Sequence, residues 1–293
     1  MSETFKTYRI GDLLVTRVTE TLIDFTPPER LFPNWDEAVI EDREDRLAPS
    51  GLDSLRKTIR TSVHTWVLKT PDHTILVDTG IGNGKARASA YFNQLHTPYL
   101  EKLQAAGVVP EGVDYVLLTH IHSDHVGWNT TLVDGLWRPT FANATYFVPR
   151  SGIEYFSSAA GRSKPNYDMY RDSVLPVVEA GQAQMVGPEG GEVLPGIVYQ
   201  PTPGHSVDHM SITLTSGNEE GLLAGDIMHN PVQVYRPQWN SIFCATAEEA
   251  VRSRERMLAL CADRRAIYLS SHFAETSAGR ITRTDQGYDW RFE

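Results

Sequence analysis

Polar and apolar residues alternate between positions 5 and 20, with Leu14, Thr16, Val18 and Glu20 on one parity and Val15, Arg17 and Thr19 on the other. A period of two sends successive side chains to opposite faces of an extended chain, so an N-terminal hairpin is expected. From 21 to 60 the periodicity lapses, and Pro27, Pro28, Pro33 and Pro49 punctuate a stretch that carries Phe25, Phe32 and Trp35. Such a length without pattern reads as a lid or an oligomer-contact excursion. Strand-like runs resume at Ser62–Leu68 and Thr74–Asp78 around the turn residues Thr70 to His73, which predicts a second hairpin.

Thr97-Pro98 offers a cap and a first-turn proline, Leu100 and Leu103 share a helical face, and Gly107 terminates it. A helix of about ten residues is expected there. Tyr115 to Leu118 is a continuous apolar run of buried-strand type, and it stops abruptly at a polar cluster beginning with Thr119. Further strand-like runs occur at Thr145–Val148, Ile197–Gln200, Met210–Leu214, Gly221–Ala224 and Ala266–Leu269. A late helix is predicted from Thr246, capped by its hydroxyl with Glu249 completing a capping box, and with Ala247, Val251, Leu258 and Cys261 on one face. No linker, repeat or low-complexity segment divides the chain, so residues 1–293 read as one layered α/β domain.

Charge narrows the partners. Lys and Arg number 27 against 37 Asp and Glu, a formal net charge of −10, which repels a phosphate backbone and argues against nucleic acid. The dense run from Glu41 to Arg46 mixes both signs and reads as a solvated face. No apolar stretch approaches the roughly 18 residues of a spanning helix, and the start lacks a basic segment followed by an apolar one. Together with two cysteines read as reduced thiols, Cys244 and Cys261, this predicts a cytoplasmic protein without a membrane partner. A homodimer remains open.

The chemistry concentrates after the apolar run, where His120-Ile121-His122-Ser123-Asp124-His125 packs three imidazoles and a carboxylate into six positions. In an extended segment His120 and His122 point the same way and can grip one cation, while the following turn swings Asp124 and His125 toward another. Gly127 permits the tight turn. His205, Asp226 and His272 each follow a strand-like run, and strand ends collect at one edge of an α/β sheet. Five imidazoles and two carboxylates suffice for two divalent ions if Asp226 bridges them.

Other motifs fail on inspection. Gly80 to Lys85 resembles a phosphate loop but is one residue short, with Ala86 where Ser or Thr is required. Gly204-His205-Ser206-Val207-Asp208 lacks the closing glycine of a nucleophile elbow. His64, His73, His96 and His209 read as surface or packing histidines.

The pattern His-x-His-x-Asp-His with a distal His, a Gly-Asp and a final His, preceded by Val77-Asp78-Thr79-Gly80, resembles the metallo-β-lactamase-fold hydrolase superfamily over most of the chain. The resemblance implies a four-layer αββα sandwich with the metal site at one edge between the two sheets. It assigns His120, His122 and His205 to one metal, Asp124, His125 and His272 to the other, and Asp226 to both. The implied cofactors are two divalent ions, zinc first, with manganese, iron or cobalt as alternatives. Two cations flanking a water lower its pKa toward about 7, which supplies hydroxide at neutral pH.

Asp124 and Asp226 are then catalytic as well as ligating, and Asp78 orients a ligand histidine. His229 stands where the acyl-homoserine-lactone lactonases carry a tyrosine, and an imidazole there can hydrogen-bond substrate or donate a proton. Trp128 and Phe273, with Phe25, Phe32 and Trp35, are candidate walls of a substrate pocket. The sequence departs from the true zinc β-lactamases, which show an Asp-Arg pair and a Cys at the corresponding positions. The expected reaction is cleavage of a small ester-like substrate, a lactone, carboxylic ester or phosphotriester, in the lactonase and organophosphate-hydrolase branch. Glyoxalase-II-like thioester hydrolysis, a mononuclear iron enzyme resembling persulfide dioxygenases, and a binding protein without turnover are the rivals.

Overall fold

The alternating N-terminal segment forms an antiparallel hairpin, Thr7–Ile10 against Leu13–Phe25, in a computed structural model that describes residues 5–25, 27–41, 43–53 and 57–293. The chain divides into two units, each drawn from two stretches: Met1–Thr21 with Val63–Val193, and Leu22–Ser62 with Leu194–Glu293. The fold is mixed α/β, built on two large sheets.

In the first unit the sheet order is Thr7–Ile10, Leu13–Phe25, Thr58–Lys69, Thr74–Val77, Tyr115–Leu117, Thr145–Pro149 and Ala183–Val186. The turn at 70–73 closes the expected second hairpin, and the last four strands run parallel. Parallel neighbours need crossovers. The helix Tyr99–Ala105 lies in one of them, and its Tyr99 and Leu103 pack with Val67, Leu76, Val116 and Tyr146 in the unit's core. That helix is shorter than expected and starts after Pro98 without a side-chain cap, because Thr97 Oγ1 is engaged by Glu20 and Asn83 instead.

In the second unit the strands Ile197–Pro201, Met210–Ser216, Glu219–Leu223, Ile267–Leu269, Ala278–Thr284 and Gly287–Phe292 lie in sequence order. Only the pair Glu219–Leu223 and Ile267–Leu269 is parallel, and the helix Ala247–Arg264 lies in the connection between its strands. This helix buries Ala250, Ser253, Arg254, Met257, Leu258 and Cys261, an i, i+3, i+4, i+7 stripe that sets Cys261 against Leu222, Tyr268 and Trp290. The expected stripe was displaced, since Ala247 is exposed and Val251 only half-buried. Thr246 makes no side-chain cap bond, so the capping box does not form.

The aperiodic stretch 21–60 is not structureless. Short helical turns at Pro28–Arg30, Glu37–Val39, Glu44–Leu47 and Ala48–Ser50 and a strand at Leu52–Asp53 carry Leu31, Phe32, Val39, Ile40, Leu47 and Leu52 into a core shared with Val232 and Trp239. Its polar backbone groups are met by turns, and its apolar residues are spaced by prolines rather than by a helical or strand period. Among the described residues, no helix is long and apolar enough to cross a membrane.

Candidate metal centre

In the first unit, the strands Thr74–Val77 and Tyr115–Leu117 are parallel, so the segments that follow them leave the same sheet edge. Asp78 sits in the left-handed region at φ 54°. Its backbone N–H donates to Leu117 O at 3.0 Å. Its carboxylate accepts from Thr119 N at 2.8 Å, Thr119 Oγ1 at 2.8 Å and His125 Nδ1 at 2.8 Å. That last bond places the His125 proton on Nδ1 and turns the Nε2 lone pair away from Asp78. Asp124 lies beside it, its Oδ2 3.8 Å from His125 Nε2. His120 Nε2 and His122 Nδ1 approach to 3.0 Å, and the His120 and His125 rings lie 4.1 Å apart.

The loop bearing these imidazoles is stitched to the residues after Asp78. Thr79 N donates to His125 O at 2.6 Å, Gly127 N to Gly80 O at 2.7 Å and Trp128 N to Thr79 O at 2.8 Å. Gly127 is required by this close approach rather than by a special backbone angle, because a Cβ there would meet Ile81 O at 1.8 Å. Beneath the stitch lies the buried Glu20, whose carboxylate accepts from Ile81 N at 2.6 Å, Trp128 Nε1 at 2.7 Å and Thr97 Oγ1 at 3.1 Å. Burial pushes the Glu20 carboxyl up from the usual range, against the pull of those donors.

In the second unit, Ile197–Pro201, Glu219–Leu223 and Ile267–Leu269 all run the same way, so His205, Asp226 and His272 gather at one sheet edge. His272 Nδ1 donates to Ser62 O at 2.9 Å, and its Nε2 then faces Asp226 Oδ1 at 2.9 Å. His205 Nε2 lies 3.2 Å and His229 Nε2 3.4 Å from Asp226 Oδ2. The backbone N–H of Asp226 donates to His209 Nε2 at 2.7 Å, and His209 Nδ1 donates to Thr202 O at 3.0 Å. Three imidazole nitrogens thus converge on one buried carboxylate, a nitrogen and oxygen donor set suited to a divalent ion.

A sequence profile of the metallo-beta-lactamase superfamily matches residues 58–268. The chain belongs to this superfamily. Relatives of this superfamily member include the N-acyl homoserine lactonase AiiA of Bacillus thuringiensis subsp. kurstaki, 25% identical over 184 residues, which are 57% of this chain and 64% of that protein. The chain therefore spans under two thirds of the length of that lactonase. A probable metallo-hydrolase of Bacillus subtilis (strain 168), YybB, is 26% identical over 60% of this chain and 69% of its own length. Among solved structures, the hydrolase AbOPH of the beta lactamase superfamily has a TM-score of 0.81 at 24% identity, covering 99% of this chain and 97% of that one. AidC, a dizinc quorum-quenching lactonase, has a TM-score of 0.76 at 21% identity over 99% and 97%. The fold of the metallo-beta-lactamase superfamily, expected from the motif, is the fold observed.

The superfamily motif residues fall into two groups by unit: His120, His122, Asp124 and His125 in the first, and His205, Asp226 and His272 in the second. His229 joins the second group, its ring stacked on His272 at 5.2 Å and tilted against Phe243 at 5.8 Å. Burial pushes the His229 pKa down, opposed by Asp226. Three expected pocket walls are instead core. Phe32 is fully buried against Trp35 and Trp239, Phe273 fully buried against Tyr268 and Trp290, and Trp128 stacks on Tyr99 while donating to Glu20. At Phe273 adjacency to His272 misled, because successive residues on an extended chain point to opposite faces. Trp35 is half-buried and lines a surface pocket of about 220 Å³ with Pro28, Ile40 and Leu52 and the charged Glu37, Glu41, Glu44 and Lys57. The side chain of Phe25 lies outside the described residues.

Glu20 and His209 are supports that sequence reasoning missed. Glu20 entered only as a member of the alternating strand, and its one signal was a lone carboxylate on the parity of Leu14 and Val18. His209 lies four residues after His205 with no motif around it, so nothing in the pattern separated it from a packing histidine.

Proposed function

We propose that the chain is a dinuclear metallohydrolase that cleaves a small ester-like bond: a lactone, a carboxylic ester or a phosphotriester. The observation that carries it is the approach of His272 Nε2 to Asp226 Oδ1 at 2.9 Å, with the Nδ1 proton committed to Ser62 O. Two lone-pair-bearing atoms that close repel unless a positive charge lies between them. His205 and His229 can face Asp226 as neutral Nε2–H tautomers, but His272, its Nδ1 proton already given to Ser62 O, would have to carry a buried charge, so a shared metal ion is the better match.

In this reading His120, His122 and His205 hold one ion, Asp124, His125 and His272 hold the other, and Asp226 is shared. Divalent ions bound there supply Lewis acidity, which activates water and polarises the substrate oxygen. His229 hydrogen-bonds the substrate or gives a proton to the departing oxygen. Asp78 and Ser62 keep His125 and His272 in the tautomer that presents Nε2. The lactonase relatives support a lactone as the first substrate class to test. Two free thiols, Cys244 and Cys261, are in keeping with a reducing cytoplasmic compartment.

The test is metal quantification on protein purified under metal-replete conditions, with a panel of lactones, esters, thioesters and phosphotriesters. The expected result is close to two divalent ions per chain and turnover of lactones or esters. A well-folded chain that stays mononuclear would refute the shared carboxylate, and activity on thioesters alone would move the protein to the glyoxalase-II-like rival.

A further inference from the structure

The segment 241–246 presents apolar side chains where water would favour polar ones. Ile242 is 54% and Phe243 44% exposed, and no charged residue occurs from Pro237 to Ala247. The segment is well anchored: Cys244 N donates to Ser241 O at 3.2 Å, Ile242 N to Leu31 O at 3.0 Å, Ala245 N to His205 O at 3.0 Å and Thr246 N to Gly204 O at 2.8 Å. Two of these bonds tie it to the loop that carries His205. The Phe243 ring lies 5.8 Å from the His229 ring, at 34°. Val207, two residues beyond His205, is 58% exposed. Of these exposed apolar residues, Phe243 is set against the buried histidine and aspartate group by its ring contact with His229, Ile242 adjoins Phe243 with its N–H held by Leu31 O, and Val207 follows His205 by two residues in the chain.

We propose that Phe243, with Ile242 and Val207, is a specificity-determining wall that holds an alkyl or acyl chain of the substrate beside His229. This inference rests on the hydrolase reading above. Apolar surface kept in water is stabilised when a ligand covers it, and each methylene so buried is worth about a fourfold gain. An anionic substituent laid against the same uncharged segment would lose hydration without gaining a partner. The wall therefore selects neutral chains by length.

The test compares the metal-loaded enzyme with Phe243→Ala, Phe243→Leu and Ile242→Ala on γ-lactones from γ-butyrolactone to γ-decalactone, and titrates each with acetate and decanoate by calorimetry. The wild type should favour the longest lactone in kcat/KM. Phe243→Ala should cut the ratio of longest to shortest by about fifteenfold, as loss of contact with two methylenes implies, and Phe243→Leu by less. Decanoate affinity should fall in parallel.

An unchanged ratio in both alanine variants, or a wild type indifferent to chain length, overturns the wall and leaves the hydrolase reading standing. No turnover of lactones or of any ester in the panel above, with decanoate binding that weakens in the variants, supports the wall while the hydrolase reading falls. Decanoate binding that is absent or insensitive to the variants, without turnover of any substrate in that panel, overturns both. Variants that convert a dimer to a monomer while chain-length preference persists also overturn the wall, and assign this face to a subunit contact.

Discussion

Replacing Arg254 with Met tests what holds the segment that carries Asp226 and His229. The guanidinium is fully buried, with Nε donating to Ile227 O at 2.9 Å, Nη2 to Asn240 Oδ1 at 3.1 Å and Nη1 to Pro237 O. Its bonded partners are two carbonyls and an amide, and desolvation lowers its pKa from the ordinary arginine value. Ile227 lies directly after Asp226, so this side chain pins the backbone between Asp226 and His229. Methionine matches the length but leaves three buried acceptors unmet, at about 1–1.5 kcal/mol each, partly offset because the desolvated charge is also removed. We expect Arg254→Met to lose about 2–4 kcal/mol in urea unfolding of the metal-loaded protein. Arg254→Lys should recover no more than about half, since one ammonium cannot reproduce the fork. Where both forms remain folded, kcat should fall more than KM rises. A loss below about 1 kcal/mol with unchanged kcat would show that the segment is held by other contacts, first among them Gln233, whose Oε1 accepts from His229 N at 2.7 Å.

Three further outcomes follow from single interactions. Lys85 is fully buried, its Nζ bonded to Thr130 Oγ1 at 2.8 Å and seated 3.7 Å from the Trp137 ring centroid, and burial pulls its pKa down to about 7. The unfolded chain then binds the extra proton between about 7 and 10.5, so this group makes stability rise with pH across that window, by roughly 5 kcal/mol at the upper bound. Lys85→Met should remove that rise in a series of unfolding curves, and a parallel pH profile in both proteins would count against it. Asp78→Asn should weaken metal affinity about 10–100-fold in a chelator competition with folding retained, because His125 loses the carboxylate at its Nδ1; equal affinity would remove Asp78 from the metal's support. Gly127→Ala should cost about 3 kcal/mol or more in thermal unfolding, since its methyl would overlap Ile81 O, and a shift under about 1 kcal/mol would mean that the loop yields.

The strands that deliver the motif residues were legible because each is a short apolar run ending in polar residues, as at Tyr115–Leu117 and Ile267–Leu269. Both N-terminal hairpins were legible from alternation and turn chemistry. The helices Arg150–Ser157, Ala159–Arg162, Tyr167–Ser173 and Leu175–Glu179 were not, because none repeats a stripe of large buried apolar residues: Phe156 and Val177 each stand alone in their helix, Met169 and Tyr170 are adjacent, and Ala159–Arg162 buries only Gly161. The excursion 21–60 hid its core for a related reason, since Leu31, Phe32, Val39 and Leu47 are gathered by turns rather than by one element. Caps at Thr97 and Thr246 were over-read: a hydroxyl at a helix start caps only when tertiary partners do not claim it, and Glu20 and Asn83 claim Thr97.

The residues that decide the chemistry of the histidines are the ones a motif does not contain. An imidazole offers one lone pair, and which nitrogen carries it depends on the bond made by the other. At His125 that bond goes to a carboxylate, Asp78, and at His272 to a backbone carbonyl, Ser62 O. At His209 the same logic runs in reverse. Thr202 O takes the Nδ1 proton, Nε2 accepts from the Asp226 amide, and a histidine outside the candidate metal groups orients the backbone of the carboxylate on which three imidazoles converge. A carbonyl cannot be read from residue type, whereas a carboxylate can, so Asp78 was visible in the sequence and Ser62 was not. Two histidines with identical roles in the motif thus differ in how they respond to substitution. Asp78→Asn changes the group that fixes His125, while Ser62→Ala leaves the carbonyl that fixes His272 in place.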